Sequence, residues 1–182
     1  EYFLKTIGKV DPFFGIKIIE RINTSRRRDK SRINLLDSYL GNSLKYINHK
    51  GLHTIYKSLE GSDFKEEFIV SLFERYSKSK HLRAKSITDL LYFAKGVADF
   101  KNKSKRLFCY VLGIKIINKN EEWKTRLLAR QKELVYNTWH EIDTEWDKID
   151  SGFLICSELS GIAPEFAKKI FNETELIKKE ST

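Results

Sequence analysis

Residues 120–149 read NEEWKTRLLARQKELVYNTWHEIDTEWDKI. Their larger side chains recur every three or four positions, which is typical of one face of an amphipathic helix. The pattern predicts a single helix of roughly eight turns at 3.6 residues per turn, with its three tryptophans as core anchors. The positions that carry the pattern are Trp123, Leu127, Gln131, Leu134, Thr138, Trp139, Ile142, Trp146 and Ile149.

The rest of the chain also favours helices. Only 2 of its 182 residues are proline, 32% are charged and 41% are hydrophobic, a balance that fits helices joined by short polar turns. We therefore predict an all-α, multi-helix protein whose long helix lies on the C-terminal side. Other helices are predicted over residues 13–22, 33–40, 43–59 (interrupted at Gly51), 62–77 (with Asp63 and Glu66 as a capping pair), 87–97 and 104–112 (capped by Gly113), and from Pro164 onward.

Charge divides the chain into two parts. Residues 1–120 carry 25 Lys and Arg against 12 Asp and Glu, whereas residues 121–182 carry 9 against 13. We predict a basic helical body over residues 1–118 and a second unit over residues 119–182. A basic body suggests an acidic partner, and nucleic acid, tubulin and an anionic membrane surface all qualify.

Three basic clusters lie at predicted helix junctions. Brought together by the fold, they would form one positive face able to hold an acidic protein surface or phosphates; taken singly, each is an ordinary solvated turn. The predicted partner-binding residues are Arg26, Arg27, Arg28 and Arg32 in the first cluster, Lys78, Lys80, Arg83 and Lys85 in the second, and Lys101, Lys103, Lys105 and Arg106 in the third.

The end of the long predicted helix contains DKIDSGFLICSE at residues 147–158. Asp147, Ser151, Gly152 and Glu158 fall at positions 1, 5, 6 and 12 of this stretch, which resembles an EF-hand calcium loop. The resemblance implies an EF-hand-like helix-loop-helix in which Asp147, Ser151, the Phe153 carbonyl and Glu158 supply oxygens. The alternative is an ordinary helix–turn–helix with an Asp-Ser-Gly turn.

This loop departs from the EF-hand pattern at two ligand positions. Ile149 and Ile155 occupy positions 3 and 9 and offer no side-chain oxygen. About five oxygens remain, fewer than the six to eight that calcium takes. We therefore expect weak calcium binding or none, and no other cofactor.

A second resemblance covers residues 64–114. It rests on the helical spacing of Phe68, Leu72, Phe73 and Tyr76 and on the run KRLFCYVLGI at residues 105–114. This stretch resembles a helical segment that precedes EF-hand-like loops in ciliary and axonemal proteins. The resemblance implies a structural protein of microtubules or cilia.

Other chemistry-bearing residues give weaker signals. Arg75 and His81 resemble the Arg-x(4–6)-His signature of HEPN ribonucleases, but a solvated arginine and a turn histidine explain them as well. His49 and His53 have the spacing of metal ligands but lack the glutamate of zincins. Cys109 and Cys156 lie in apolar runs and are predicted to be buried, reduced thiols.

These observations predict a non-enzymatic structural or adaptor protein with cytoskeletal partners such as tubulin. The alternative is a basic, helical nucleic-acid-binding module. No apolar run is long enough to span a membrane, and residues 1–5 do not begin a secretory signal. The expected location is intracellular, in the cytoplasm, the cytoskeleton or a cilium.

Overall fold

The computed structural model describes residues 49–61, 64–80 and 84–180. Within these ranges all regular structure is helical, with seven helices and no strand, so the all-α prediction is confirmed. The helices are α1 (His49–Ser58), α2 (Phe64–Lys78), α3 (Ala84–Val97), α4 (Lys103–Ile117), α5 (Glu121–His140), α6 (Glu145–Leu159) and α7 (Pro164–Glu180).

Helix α4 lies at the centre of the fold. Nine of its fifteen residues are buried, on all sides of the helix, as expected of a helix surrounded by others. It packs against α2 and α5 and also touches α6, while α6 and α7 form a closely packed antiparallel hairpin. Helix α3 instead packs against α2 and α1.

One hydrophobic core extends through these helices. Its large, fully buried side chains include Phe68 of α2, Phe93 of α3, Trp139 of α5 and Ile155 of α6. The core joins residues from both sides of the predicted division between residues 118 and 119.

The single long helix predicted from residue 120 is wrong. Helix α5 ends at His140, and α6 begins at Glu145. Thr144 has an extended backbone, and its hydroxyl oxygen accepts a hydrogen bond from the backbone N–H of Asp147. This N-cap starts a new helix, so the apolar repeat continues across a change in chain direction.

The loop predicted over residues 147–158 is also wrong, because α6 includes all of these residues. Gly152 does not permit a sharp turn there. It lies where α6 meets α7, and a Cβ at this position would overlap the side chain of Thr174. The glycine therefore allows a close approach of two helices.

Two further glycine predictions are also wrong. Helix α1 runs through Gly51 without interruption. Helix α4 continues past Gly113 to Ile117, and a Cβ on Gly113 would lie 2.5 Å from Nε2 of Gln131 in α5. Gly113 thus allows α5 to approach α4 and does not end a helix.

The three tryptophans have different environments. Trp139 is fully buried, as predicted, and its indole N–H donates to the carbonyl of Lys148 over 2.7 Å. Trp123 is partly buried against the core. Trp146 is 75% exposed, so its prediction as a core anchor is wrong; the break before α6 turns it away from the face of α5.

Some predictions lie outside the described residues, namely the helices over 13–22 and 33–40 and the capping residue Asp63. The helix predicted from Pro164 is confirmed as α7. Among the described helices, none is both long and apolar enough to cross a bilayer.

Candidate protein-binding groove

An apolar groove runs between α3 and α5. Because α3 packs against α1 and α2 while α5 packs against α4, the two helices stand apart and leave α4 as a floor between them. The groove has a volume of about 370 Å³. Its walls and floor are lined by Phe73 of α2, by Leu90, Leu91, Ala94, Lys95 and Ala98 of α3, by Tyr110, Gly113, Ile116 and Ile117 of α4, and by Trp123, Leu127, Arg130, Gln131 and Leu134 of α5.

The α3 wall exposes an unusual amount of apolar surface. Leu91 is 53% exposed. Residues 90–94 are Leu-Leu-Tyr-Phe-Ala, five consecutive apolar or aromatic side chains. Such a run covers more than one face of a helix, so burying Leu90 and Phe93 in the core leaves Leu91 and Tyr92 toward solvent.

The floor of the groove is fixed by the contact between α4 and α5. The Gln131 amide lies over Gly113 and donates a hydrogen bond of 3.0 Å to the carbonyl of Tyr110. Burial raises the pKa of the Tyr110 phenol above its ordinary value of 10.0.

One cation lies on each rim. Lys95 of α3 and Arg130 of α5 are both exposed, and none of the described side chains that line the groove is a carboxylate. A positive charge on each side of an apolar surface favours an apolar ligand that carries negative charges at its edges.

A second concavity, of about 520 Å³, follows α2. Its lining mixes Glu67 and Glu74 with Arg75 and Lys78, and Lys78 lies 3.6 Å from Glu74. These opposite charges compensate one another, so this surface selects no class of partner by charge.

The third basic cluster is largely neutralised within the protein. Lys105 pairs with Glu67 of α2, and Arg106 pairs with Glu141. Lys103 lies 2.6 Å from Asp143 and donates to the Glu141 carbonyl over 2.7 Å. These pairs tie the start of α4 to α2 and to the connection between α5 and α6, whereas Lys101 is exposed.

The other two basic clusters can be described only in part. Lys78 and Lys80 are exposed. Lys85 belongs to α3, but its side chain is not among those that the structure describes. Arg26, Arg27, Arg28, Arg32 and Arg83 lie outside the described residues. The predicted single positive face therefore stays a prediction.

The predicted calcium ligands are spread along a helix. Asp147 and Glu158 are separated by about 16 Å along α6, at a rise of 1.5 Å per residue. The Asp147 carboxylate accepts from the Thr144 hydroxyl, and Glu158 lies 2.6 Å from Lys115 of α4. Ser151 and Phe153 lie between them within α6, so these four residues do not form one cation site in this structure. Among the described residues, no group of three or more His, Cys, Asp or Glu side chains is arranged to hold a metal ion.

The structure gives no support to a metal site at His49 and His53 or to a ribonuclease pair of Arg75 and His81. The His53 ring packs at 4.3 Å from the Tyr92 ring and 5.2 Å from the Phe93 ring. His81 lies outside the described residues, and burial lowers the pKa of the Arg75 guanidinium in α2. Cys109 and Cys156 are free thiols; Cys109 is buried as predicted and Cys156 only partly.

Comparison with known proteins adds no relative: no protein-family model, curated protein or solved structure matches this chain. The fold and the groove together define a helical protein with an apolar surface that carries a cation on each rim.

Proposed function

We propose that this chain is a non-enzymatic interaction module that binds an apolar helical segment of an acidic protein partner in the groove between α3 and α5. The observation that carries the proposal is the open apolar surface with Lys95 on one rim and Arg130 on the other.

The shape of the groove suits a helix. Its α5 wall presents Trp123, Leu127, Arg130 and Leu134 at helical spacing. These residues span about 16 Å, or three helical turns. Binding of an amphipathic helix in an apolar groove is a common mode of peptide recognition, with anchors spaced at three or four residues.

The charges around the groove support an acidic partner. Within the described residues, neither Lys95 nor Arg130 forms an ion pair of 4.0 Å or less, unlike Lys103, Lys105 and Arg106. Residues 1–120 also carry a net charge of +13. Carboxylates beside the apolar anchors of a partner would therefore meet cations on both sides of the groove.

The lining offers little for acid–base catalysis. Among the described residues, the lining contains no carboxylate, histidine or cysteine, and its titratable groups are Lys95, Arg130 and Tyr110. A general base is usually a carboxylate, a histidine or a cysteine whose pKa lies near the working pH. The chemistry of the lining thus supports binding.

A designed peptide pair tests the proposal. One amphipathic helical peptide carries leucines on one face and glutamates on both flanks, and its twin replaces every glutamate by lysine. We expect the glutamate peptide to bind the wild type by fluorescence anisotropy, to lose binding in Leu91→Asp and to keep it in Leu176→Asp. Leu176 is a matched control because it is 58% exposed on α7, outside the groove. Absence of binding, or equal loss in both variants, contradicts the proposal.

The cytoskeletal partner stays a prediction. Tubulin is acidic and fits the charge of the chain, so pelleting with microtubules that survives an RNA competitor would support this partner. The nucleic-acid alternative is disfavoured by the ion pairs of Lys103, Lys105 and Arg106, because cations held by carboxylates release fewer counterions from a phosphate backbone.

A further inference from the structure

Helix α6 has two contrasting faces. One face is buried in the fold and consists of Ile149, Gly152, Ile155 and Leu159. The opposite surface leaves two large apolar side chains toward solvent, with Trp146 at 75% and Leu154 at 37% exposure.

Carboxylates accompany these exposed side chains. Asp147 and Asp150 lie between Trp146 and Leu154 in sequence and are both exposed. Trp146, Asp150 and Leu154 are spaced four residues apart, so they follow one another along the same side of the helix. The outer face of α6 is therefore an apolar helical face with acidic residues beside its anchors.

This face has the chemistry that the groove favours. The groove supplies an apolar floor with Lys95 and Arg130 on its rims, and α6 supplies Trp146 and Leu154 with Asp147 and Asp150. Tryptophan is also among the side chains that most often dominate binding energy at interfaces. Both surfaces belong to the same chain, so two copies are complementary in charge and in apolar character.

We infer that the outer face of α6 of one copy docks into the groove of a second copy. This inference rests on the proposed function, because it names a second copy of the chain as an occupant of the same groove. The contact is heterologous: each copy offers a groove to one neighbour and α6 to another. Such contacts build open chains, or closed rings if the rotation between copies closes.

A complementation experiment tests the inference. Sedimentation velocity of the wild type over a micromolar concentration series should show assemblies that grow beyond dimers and weaken at higher salt. Trp146→Ala and Leu91→Asp should each weaken self-association about tenfold or more, whereas Leu176→Asp should not. Trp146→Ala removes an exposed side chain, and circular dichroism should show its helical content unchanged.

Mixing the two variants gives the decisive result. The Trp146→Ala chain keeps an intact groove, and the Leu91→Asp chain keeps an intact α6. Their equimolar mixture should form a one-to-one heterodimer and nothing larger. A wild type that stays monomeric throughout, or a mixture that stays monomeric while the wild type associates, overturns the inference. If the wild type is monomeric yet binds the glutamate peptide, only the inference fails; if it does neither, the proposed function fails as well.

Discussion

Gly152 of α6 lies directly against Thr174 of α7. Thr174 is fully buried, and its hydroxyl donates to the Ile170 carbonyl over 2.7 Å within its own helix. A Cβ on Gly152 would overlap this side chain, so this contact between α6 and α7 requires glycine. The same hairpin holds Trp146 and Leu154 on its outer side.

Replacing Gly152 by alanine should therefore destabilise the protein. Overpacking of this kind costs about 1–3 kcal/mol, measurable as a lower urea midpoint. Gly161→Ala is the matched control: nothing lies within 4 Å of its added Cβ, and Gly161 has no positive φ. The control should be neutral or slightly stabilising. Equal loss in both variants would contradict the close contact with Thr174.

The start of α6 depends on Thr144. Its hydroxyl accepts from the Asp147 N–H over 3.1 Å, so Thr144→Ala should lower the free energy of unfolding by about 1 kcal/mol. Thr125→Ala, at an exposed position inside α5, should change it much less. Unchanged stability in Thr144→Ala would argue against a separate helix beginning here.

Stability should fall at alkaline pH because of Cys109. Burial, followed by the nearby carboxylates of Glu66, Glu74 and Glu67, raises the pKa of this thiol above its ordinary value of 9.0. Above pH 9 the unfolded chain releases the proton while the folded chain keeps it, so the free energy of unfolding decreases as pH rises. Cys109→Ala should show a smaller decrease over this range; identical slopes would contradict a buried thiol.

Lys105, which pairs with Glu67, should contribute more to the stability of the fold than to the binding of phosphate. The two side chains are 34% and 14% exposed, and we expect Lys105→Gln to lower the free energy of unfolding by about 1 kcal/mol. Lys78→Gln is the control, because Lys78 is 77% exposed and lies 3.6 Å from its partner Glu74. A stable Lys105→Gln variant with weakened RNA binding and a lower salt slope would instead favour the nucleic-acid alternative.

The sequence predicted the helices better than their ends. The sequence pattern did not predict the break before α6, because Ile142, Trp146 and Ile149 continue the spacing of three and four residues across it. Thr144, with a carboxylate three residues later at Asp147, carried a capping signal that this regular spacing obscured. The EF-hand interpretation placed a loop at residues 147–158, where the structure instead has the helix that this cap begins.

The groove could not be predicted because it depends on contacts between distant parts of the chain. Its walls are separated only because α3 packs against α1 and α2. The carboxylates that neutralise the charges of Lys103, Lys105 and Arg106 likewise lie 35 to 40 residues away in the sequence. One local signal was present: the apolar run at residues 90–94 is too broad for a single buried face.

Reversing the rim charges tests the central claim most directly. The double variant Lys95→Glu/Arg130→Glu should bind the lysine peptide better than the glutamate peptide, whereas the wild type should prefer the glutamate peptide by about tenfold. If the double variant failed to fold, its binding of both peptides would weaken, and its preference between them could not reverse. A reversal would establish the groove as the binding site, and an unchanged preference in the double variant would contradict it.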